Sequence, residues 1–95
     1  ENKKVLAYVS GYANANDAFH QTASSEDGEG ATLAMQKALK VAGLSEKDID
    51  YINAHGTATP NNDSSESKAI LRIFKNNIPS FSSTKGYTGH TLAAA

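Results

Sequence analysis

The apolar positions of this chain follow two different periods, and the change from one to the other marks its elements. Val5-Leu6-Ala7-Tyr8-Val9-Ser10-Gly11-Tyr12 is rich in β-branched and aromatic side chains and is closed by Gly11, which predicts a strand. From Ala13 to Gly30, Asn, Asp, Ser, Glu and Gly dominate, which predicts a long loop. Loops longer than about 12 to 15 residues usually work at a site or are disordered. Ala31, Ala34, Met35, Ala38, Leu39 and Ala42 then recur at the spacing of one helical face, and Gly43 follows as a stop. Ser45 with Asp48 opens a short turn, and Ile49 to Ala54 regains strand character, expected to run parallel to the first strand.

Asn61 to Ser65 forms a cluster of capping residues ahead of Ala69, Ile70, Ile73 and Phe74, which share a second helical face. Pro79 ends that pattern, and a third strand is expected near Ser80 to Ser83. The tail Thr88 to Ala95 resembles a helix that has begun without a stop signal. Strands alternating with helices predict an α/β layer with mostly parallel strands, whose ligands gather at the loops beyond the strands' C-terminal ends. His55 follows the second strand and Lys85 the third, so the sheet is expected to bring them together across the intervening helix.

Composition narrows the chemistry. Ninety-five residues allow one domain, and nine basic against ten acidic side chains leave a formal net charge of -1. No global field therefore draws the chain to nucleic acid or to an anionic membrane. Lys3, Lys4, Lys37, Lys40 and Lys47 read as solvated faces, a lysine-bearing surface also being suited to an acidic partner. No apolar run approaches the roughly 20 residues needed to span a bilayer. Glu1-Asn2-Lys3-Lys4 leads into a strand rather than a signal peptide, so the expected compartment is the cytoplasm. The sequon Asn62-Asp63-Ser64 is accordingly expected to be fortuitous. There is no cysteine, which excludes a disulfide, a thiolate metal site and a cysteine nucleophile within these residues.

Two segments carry candidate chemistry. Asn53-Ala54-His55-Gly56-Thr57-Ala58-Thr59-Pro60 sets a histidine at a strand end, where a turn-capping role is the alternative to catalysis. Ser83-Thr84-Lys85-Gly86-Tyr87-Thr88-Gly89-His90 adds a lysine and a second histidine, with glycines that let both side chains fold toward one point. Two imidazoles and an ammonium converging beyond a sheet supply N–H donors to a developing oxyanion. Asp17, His20, His55, Glu66 and His90 contain metal-ligating atoms, but no short paired spacing such as H-x-x-x-H occurs, and no metal is expected. His20 is expected to anchor its loop.

These two strings, in this order and at this spacing, resemble the β-ketoacyl-acyl carrier protein synthases, condensing enzymes of the thiolase fold. Asp17-Ala18-Phe19-His20-Gln21-Thr22 resembles the family's D-A-x-H-x-T stretch, and Asn62-Asp63 with Glu66 its N-D-x-x-E, so the similarity covers nearly the whole chain. The resemblance implies a fragment, residues 1–95, of the C-terminal thiolase-like half of such an enzyme, with the nucleophilic cysteine in the other half. It implies that His55 and His90 are the histidines of a Cys-His-His triad and Lys85 the nearby lysine, with Glu66 the carboxylate pairing that lysine. Thr57 and Thr59 resemble the threonines that bond the phosphopantetheine arm of acyl carrier protein. Ala58 and Ala93-Ala94-Ala95 depart from the family, many of whose members carry Ser and a Leu-Gly-Ala-Ala run there; this bears on subfamily.

The reaction implied is a decarboxylative Claisen condensation of acyl and malonyl thioesters, in fatty acid or polyketide-like synthesis, without a cofactor. The expected partners are acyl carrier protein, the rest of the polypeptide and a second subunit of a homodimer. The alternative is a noncatalytic, chain-length-setting partner subunit. A fragment without the thiol is expected to be inactive alone.

Overall fold

The computed structural model describes residues 2–18 and 25–94. Helix α1 spans Glu29–Ala42, strand β1 Tyr51–Asn53, helix α2 Pro60–Phe74, strand β2 Ser80–Ser82 and the single-turn helix α3 Lys85–Thr88, with 3₁₀ turns at Glu46–Asp48 and Leu92–Ala94.

Helix α1 carries the periodicity expected of it and ends as expected. Gly43 adopts φ 68°, and the N–H groups of Gly43 and Leu44 turn back to the carbonyls of Lys40 and Leu39 at 3.2 and 3.0 Å. That pair of bonds is a Schellman cap, which satisfies carbonyls the helix leaves open. Its start is held from a distance. Asp17 accepts the N–H of Gly30 through Oδ1 and that of Ser25 through Oδ2 at 2.8 Å, so one carboxylate closes the loop and caps the helix. Glu29 in the first turn and Lys40 in the last complement the helix dipole.

Helix α2 begins earlier than its apolar face suggests. Thr59 is the N-cap and Pro60 the first helical residue, so Asn61 to Ser65 lie inside the first two turns. Proline suits that position because its missing N–H would be unpaired there anyway. The two helices pack at small residues: a Cβ added to Gly28, at φ 65°, would stand 2.2 Å from the Ser65 carbonyl oxygen and 3.3 Å from Ala69 Cβ. Beneath this contact Ala69, Ile70 and Phe74 are the buried apolar side chains among the described residues. Buried Thr32 bonds the Gly28 carbonyl at 2.8 Å, and Ser65 is 2% exposed.

The sheet is a parallel pair, with Tyr51, Ile52 and Asn53 opposite Ser80, Phe81 and Ser82. The bond from Ala54 N–H to the Ser82 carbonyl, 2.8 Å, extends it by one residue. The architecture is thus α/β with parallel strands, but the expected first strand is corrected. Residues 5–12 lie outside any strand, and the Ile49 to Ala54 segment pairs with the strand at Ser80 instead. Leu6 is 89% and Val9 86% exposed, so neither side of the segment is covered. Strand propensity becomes a strand only where a ladder partner exists. Gly11 is the exception, lying against α1 so closely that a Cβ would come 2.7 Å from the Ala38 carbonyl. The radius of gyration, 14.3 Å, exceeds the roughly 12 Å of a globule this long, in keeping with so small a core.

The tail differs as well. Where a continuous helix was expected from Thr88, α3 stops at Thr88, and Gly89 at φ 68° and ψ 179° swings the chain away before the 3₁₀ turn. The segment expected to resemble D-A-x-H-x-T falls largely on residues 19–24, so His20 lies outside the described residues.

Candidate active site

The site lies where the two parallel strands end side by side. β1 delivers His55 two residues after Asn53, and β2 delivers Lys85 three residues after Ser82. The Lys85 ammonium Nζ stands 3.4 Å from Nδ1 of His55. The Gly89 turn returns His90 to the same place, its ring centroid 5.1 Å from that of His55 and the planes at 86°. The three groups expected to converge do so.

Their hydrogen bonds define the protons. An ammonium has donors only, so His55 Nδ1 must be the acceptor. The Leu92 backbone N–H donates to Nδ1 of His90 at 3.0 Å, which makes that nitrogen an acceptor too. A neutral ring with an accepting Nδ1 carries its hydrogen on Nε2. Both imidazoles therefore hold an Nε2–H.

Glu66 has partners other than the lysine expected for it. From α2, its Oε1 accepts the His55 backbone N–H at 2.7 Å and its Oε2 that of Gly56 at 3.0 Å, with the Asn62 amide at 3.3 Å from Oε2. Both oxygens are engaged by the turn that bears His55, and Lys85 faces the imidazole instead. Ser83, which spacing alone does not single out, donates its hydroxyl to the His55 carbonyl at 3.3 Å and accepts the Lys85 N–H at 3.4 Å. Gly56, at φ 50°, is required there twice over, since a Cβ would also stand 2.6 Å from Ser83 Cβ.

Thr57 and Thr59 are brought together on the same turn, their hydroxyls 3.1 Å apart. Ala58 between them takes φ 62°, a left-handed conformation unusual for alanine. Among the described residues no group of three or more histidine and carboxylate side chains is arranged to hold a metal ion. Asp17 is committed to the start of α1 and Glu66 to the His55 turn.

No helix among the described residues is long and apolar enough to cross a membrane. Residues 6–95 match the model of the β-ketoacyl synthase C-terminal domain. Over 97% of its length the chain is 49% identical to the mitochondrial 3-oxoacyl-[acyl-carrier-protein] synthase of Arabidopsis thaliana, of which it covers 21%. It is 53% identical, again over 97%, to 3-oxoacyl-[acyl-carrier-protein] synthase 2 of Rhizobium meliloti, of which it covers 22%. The chain thus spans about a fifth of the length of these relatives. Among solved structures, a ketosynthase in complex with its chain length factor from Xenorhabdus doucetiae matches 92% of the chain at 48% identity and a TM-score of 0.85, covering 22% of the matched chain. A type II PKS acyl-carrier protein in complex with its ketosynthase bound to the hexaketide matches 90% at 39% identity, also with a TM-score of 0.85 and 22% coverage. These likenesses give the fold as that of the thiolase-like ketosynthases. On the family match and on both identities, the chain belongs to the β-ketoacyl synthase family, with its residues 6–95 falling in the C-terminal domain.

Proposed function

We propose that residues 1–95 are the histidine- and lysine-bearing part of a β-ketoacyl-acyl carrier protein synthase, a fragment of its C-terminal thiolase-like domain. The parent joins acyl and malonyl thioesters by decarboxylative condensation in fatty acid or polyketide-like synthesis. The observation that supports this best is the convergence of His55, His90 and Lys85 beyond the ends of the two parallel strands.

The reaction needs such donors at one moment. A cysteine thiolate from the other half takes the acyl group from its carrier and releases the carrier thiol. Malonyl-carrier protein then loses carbon dioxide, and the electron pair of the broken C–C bond moves onto the thioester oxygen as an enolate. The enolate carbon attacks the acyl thioester, forming the new C–C bond and expelling the cysteine thiolate. His55 and His90 donate Nε2–H bonds to the enolate oxygen, and Lys85 holds charge and orientation beside them. Thr57 and Thr59 offer hydroxyls to the phosphopantetheine arm. Glu66 supports the group from α2. The acyl carrier protein is the partner, the parent is a homodimer, and the setting is the cytoplasm.

A noncatalytic, chain-length-setting subunit is the second reading, favoured by the likeness to a complex containing a chain length factor. Retention of the whole His55, Lys85 and His90 group favours the enzyme.

The test uses the full synthase polypeptide containing this chain. His55→Ala or His90→Ala should slow carbon dioxide release from malonyl-carrier protein by about a hundredfold or more, the effect of a lost oxyanion donor, while labelled acyl-enzyme still forms. Decarboxylation at the parental rate in both variants would overturn the donor assignment.

A further inference from the structure

We propose that Glu66 and Ser83 are positioning residues for His55, acting through its main chain and not through Lys85. The proposal rests on His55 being the oxyanion donor described above. Lys85 and the His90 ring meet the imidazole at its far end. The direction in which the side chain leaves the backbone follows from the two peptide planes that flank its Cα. Glu66 Oε1 holds the first plane through the His55 N–H at 2.7 Å. The second plane is held from both ends: Glu66 Oε2 takes the Gly56 N–H at 3.0 Å, and the Ser83 hydroxyl donates to the His55 carbonyl at 3.3 Å.

With both planes restrained, the Cα–Cβ bond of the histidine has one direction. A carboxylate suits this task because hydrogen bonds to an ionised acceptor are roughly twice as strong as neutral ones. Ser83 adds a second restraint by accepting the Lys85 N–H at 3.4 Å, so one hydroxyl ties the turn after β1 to the start of α3. Gly56 makes the clasp possible. Its missing Cβ leaves the room that Ser83 Cβ occupies.

The experiment is a set of double-variant cycles in the full synthase polypeptide, following carbon dioxide release from malonyl-carrier protein together with the thermal midpoint. Glu66→Gln is expected to lower kcat about tenfold, the size of one lost charge-assisted bond, with KM for malonyl-carrier protein unchanged. Ser83→Ala, which only removes a hydroxyl, is expected to lower kcat about threefold and tests the clasp should Glu66→Gln fail to fold. The Glu66→Gln factor should persist in a Lys85→Met background and vanish in a His55→Ala background, because a residue that works only through the histidine has nothing left to position. Loss of the factor with Lys85→Met and its survival with His55→Ala would overturn the proposal in favour of a carboxylate that serves the lysine. A factor that survives in both backgrounds, or that tracks a fall in thermal midpoint, would reduce the clasp to a purely structural role and overturn it as well. Parental decarboxylation by His55→Ala alone is a separate result, which sinks the donor reading and the positioning proposal with it.

Discussion

The ammonium of Lys85 lies 3.4 Å from Nδ1 of His55, although 30 positions separate the two residues. That contact determines which imidazole nitrogen bears the hydrogen, and it sets the first prediction. Lys85→Met should release Nδ1 and let the His55 ring populate both neutral tautomers. Imidazole ¹⁵N spectra of the full-length protein should then show the His55 Nδ1 and Nε2 shifts moving toward each other. Unchanged shifts would mean that the lysine does not define the tautomer.

Gly86 and Gly89 stand three positions apart but are expected to respond differently. Neither would meet a neighbour within 4 Å if given a Cβ. Gly86 lies in α3, where alanine is tolerated or stabilising by up to about 1 kcal/mol. Gly89, with φ 68° and ψ 179°, occupies a region almost restricted to glycine, and forcing alanine there costs on the order of 1 to 3 kcal/mol. Gly89→Ala should therefore displace His90 and slow decarboxylation while Gly86→Ala does not. Equal activity in the two variants would show that the Gly89 turn does not place His90.

The contact between the two long helices is tested at Gly28. Gly28→Ala combines a left-handed backbone with a Cβ only 2.2 Å from the Ser65 carbonyl, so a loss of about 2 to 4 kcal/mol is expected from strain and overpacking together. Asp17→Ala, which removes the carboxylate at the start of α1, should cost about 1 kcal/mol. Urea unfolding of both variants gives these values directly, and a smaller loss for Gly28→Ala than for Asp17→Ala would contradict the packing described.

Asp48 carries the pH-dependent contact. The Ser45 backbone N–H, and then its hydroxyl, both donating to Oδ2 at 2.8 Å, hold the Asp48 carboxyl below the usual aspartate value of 3.8. A carboxyl depressed on folding contributes stability that is present above its unfolded value and lost as pH falls through its folded value. Ser45→Ala removes the hydroxyl, leaves the larger backbone contribution, and should raise the Asp48 value only part of the way. A ¹³C titration of the Asp48 carboxyl between pH 2 and 6 measures it, and a value already normal in the parent chain would refute the contact.

Residues 5–12 present Val5, Leu6, Tyr8, Val9 and Tyr12 to solvent, which makes the isolated chain prone to associate. Sedimentation should show mass rising with concentration, and Leu6→Lys with Val9→Lys should suppress it. A parent chain that stays monomeric over a wide concentration range would contradict this.

What the sequence disclosed depended on how local each cause was. Helix α1 and its Gly43 stop were legible because periodicity and a C-terminal glycine act within a few residues. The start of α2 lies ahead of its apolar face, where only the pair Thr59-Pro60, an N-cap followed by proline at the first helical position, marks it. Residues 5–12 have the local preference of a strand, but preference does not supply a partner. The meeting of His55 with Lys85 could be foreseen because parallel neighbours end at one edge whatever the loops between them do. The partners of Glu66 could not, since residue type does not say whether a carboxylate on α2 meets an ammonium or, as here, two backbone N–H groups.

The parallel pair of three-residue strands also bears on the order in which the protein folds. Helices α1 and α2 need only near neighbours and can form within microseconds. Joining β1 to β2 must first close a loop of nearly thirty residues, an entropic cost on the order of 3 kcal/mol, before its few ladder bonds return anything. The pairing that unites His55 with Lys85 should thus be the last to form and the first to open. Amide hydrogens of Ile52 to Ala54 should exchange with solvent sooner than those in the middle of α2, so that the candidate site rests on a part of the chain less protected than its long helices.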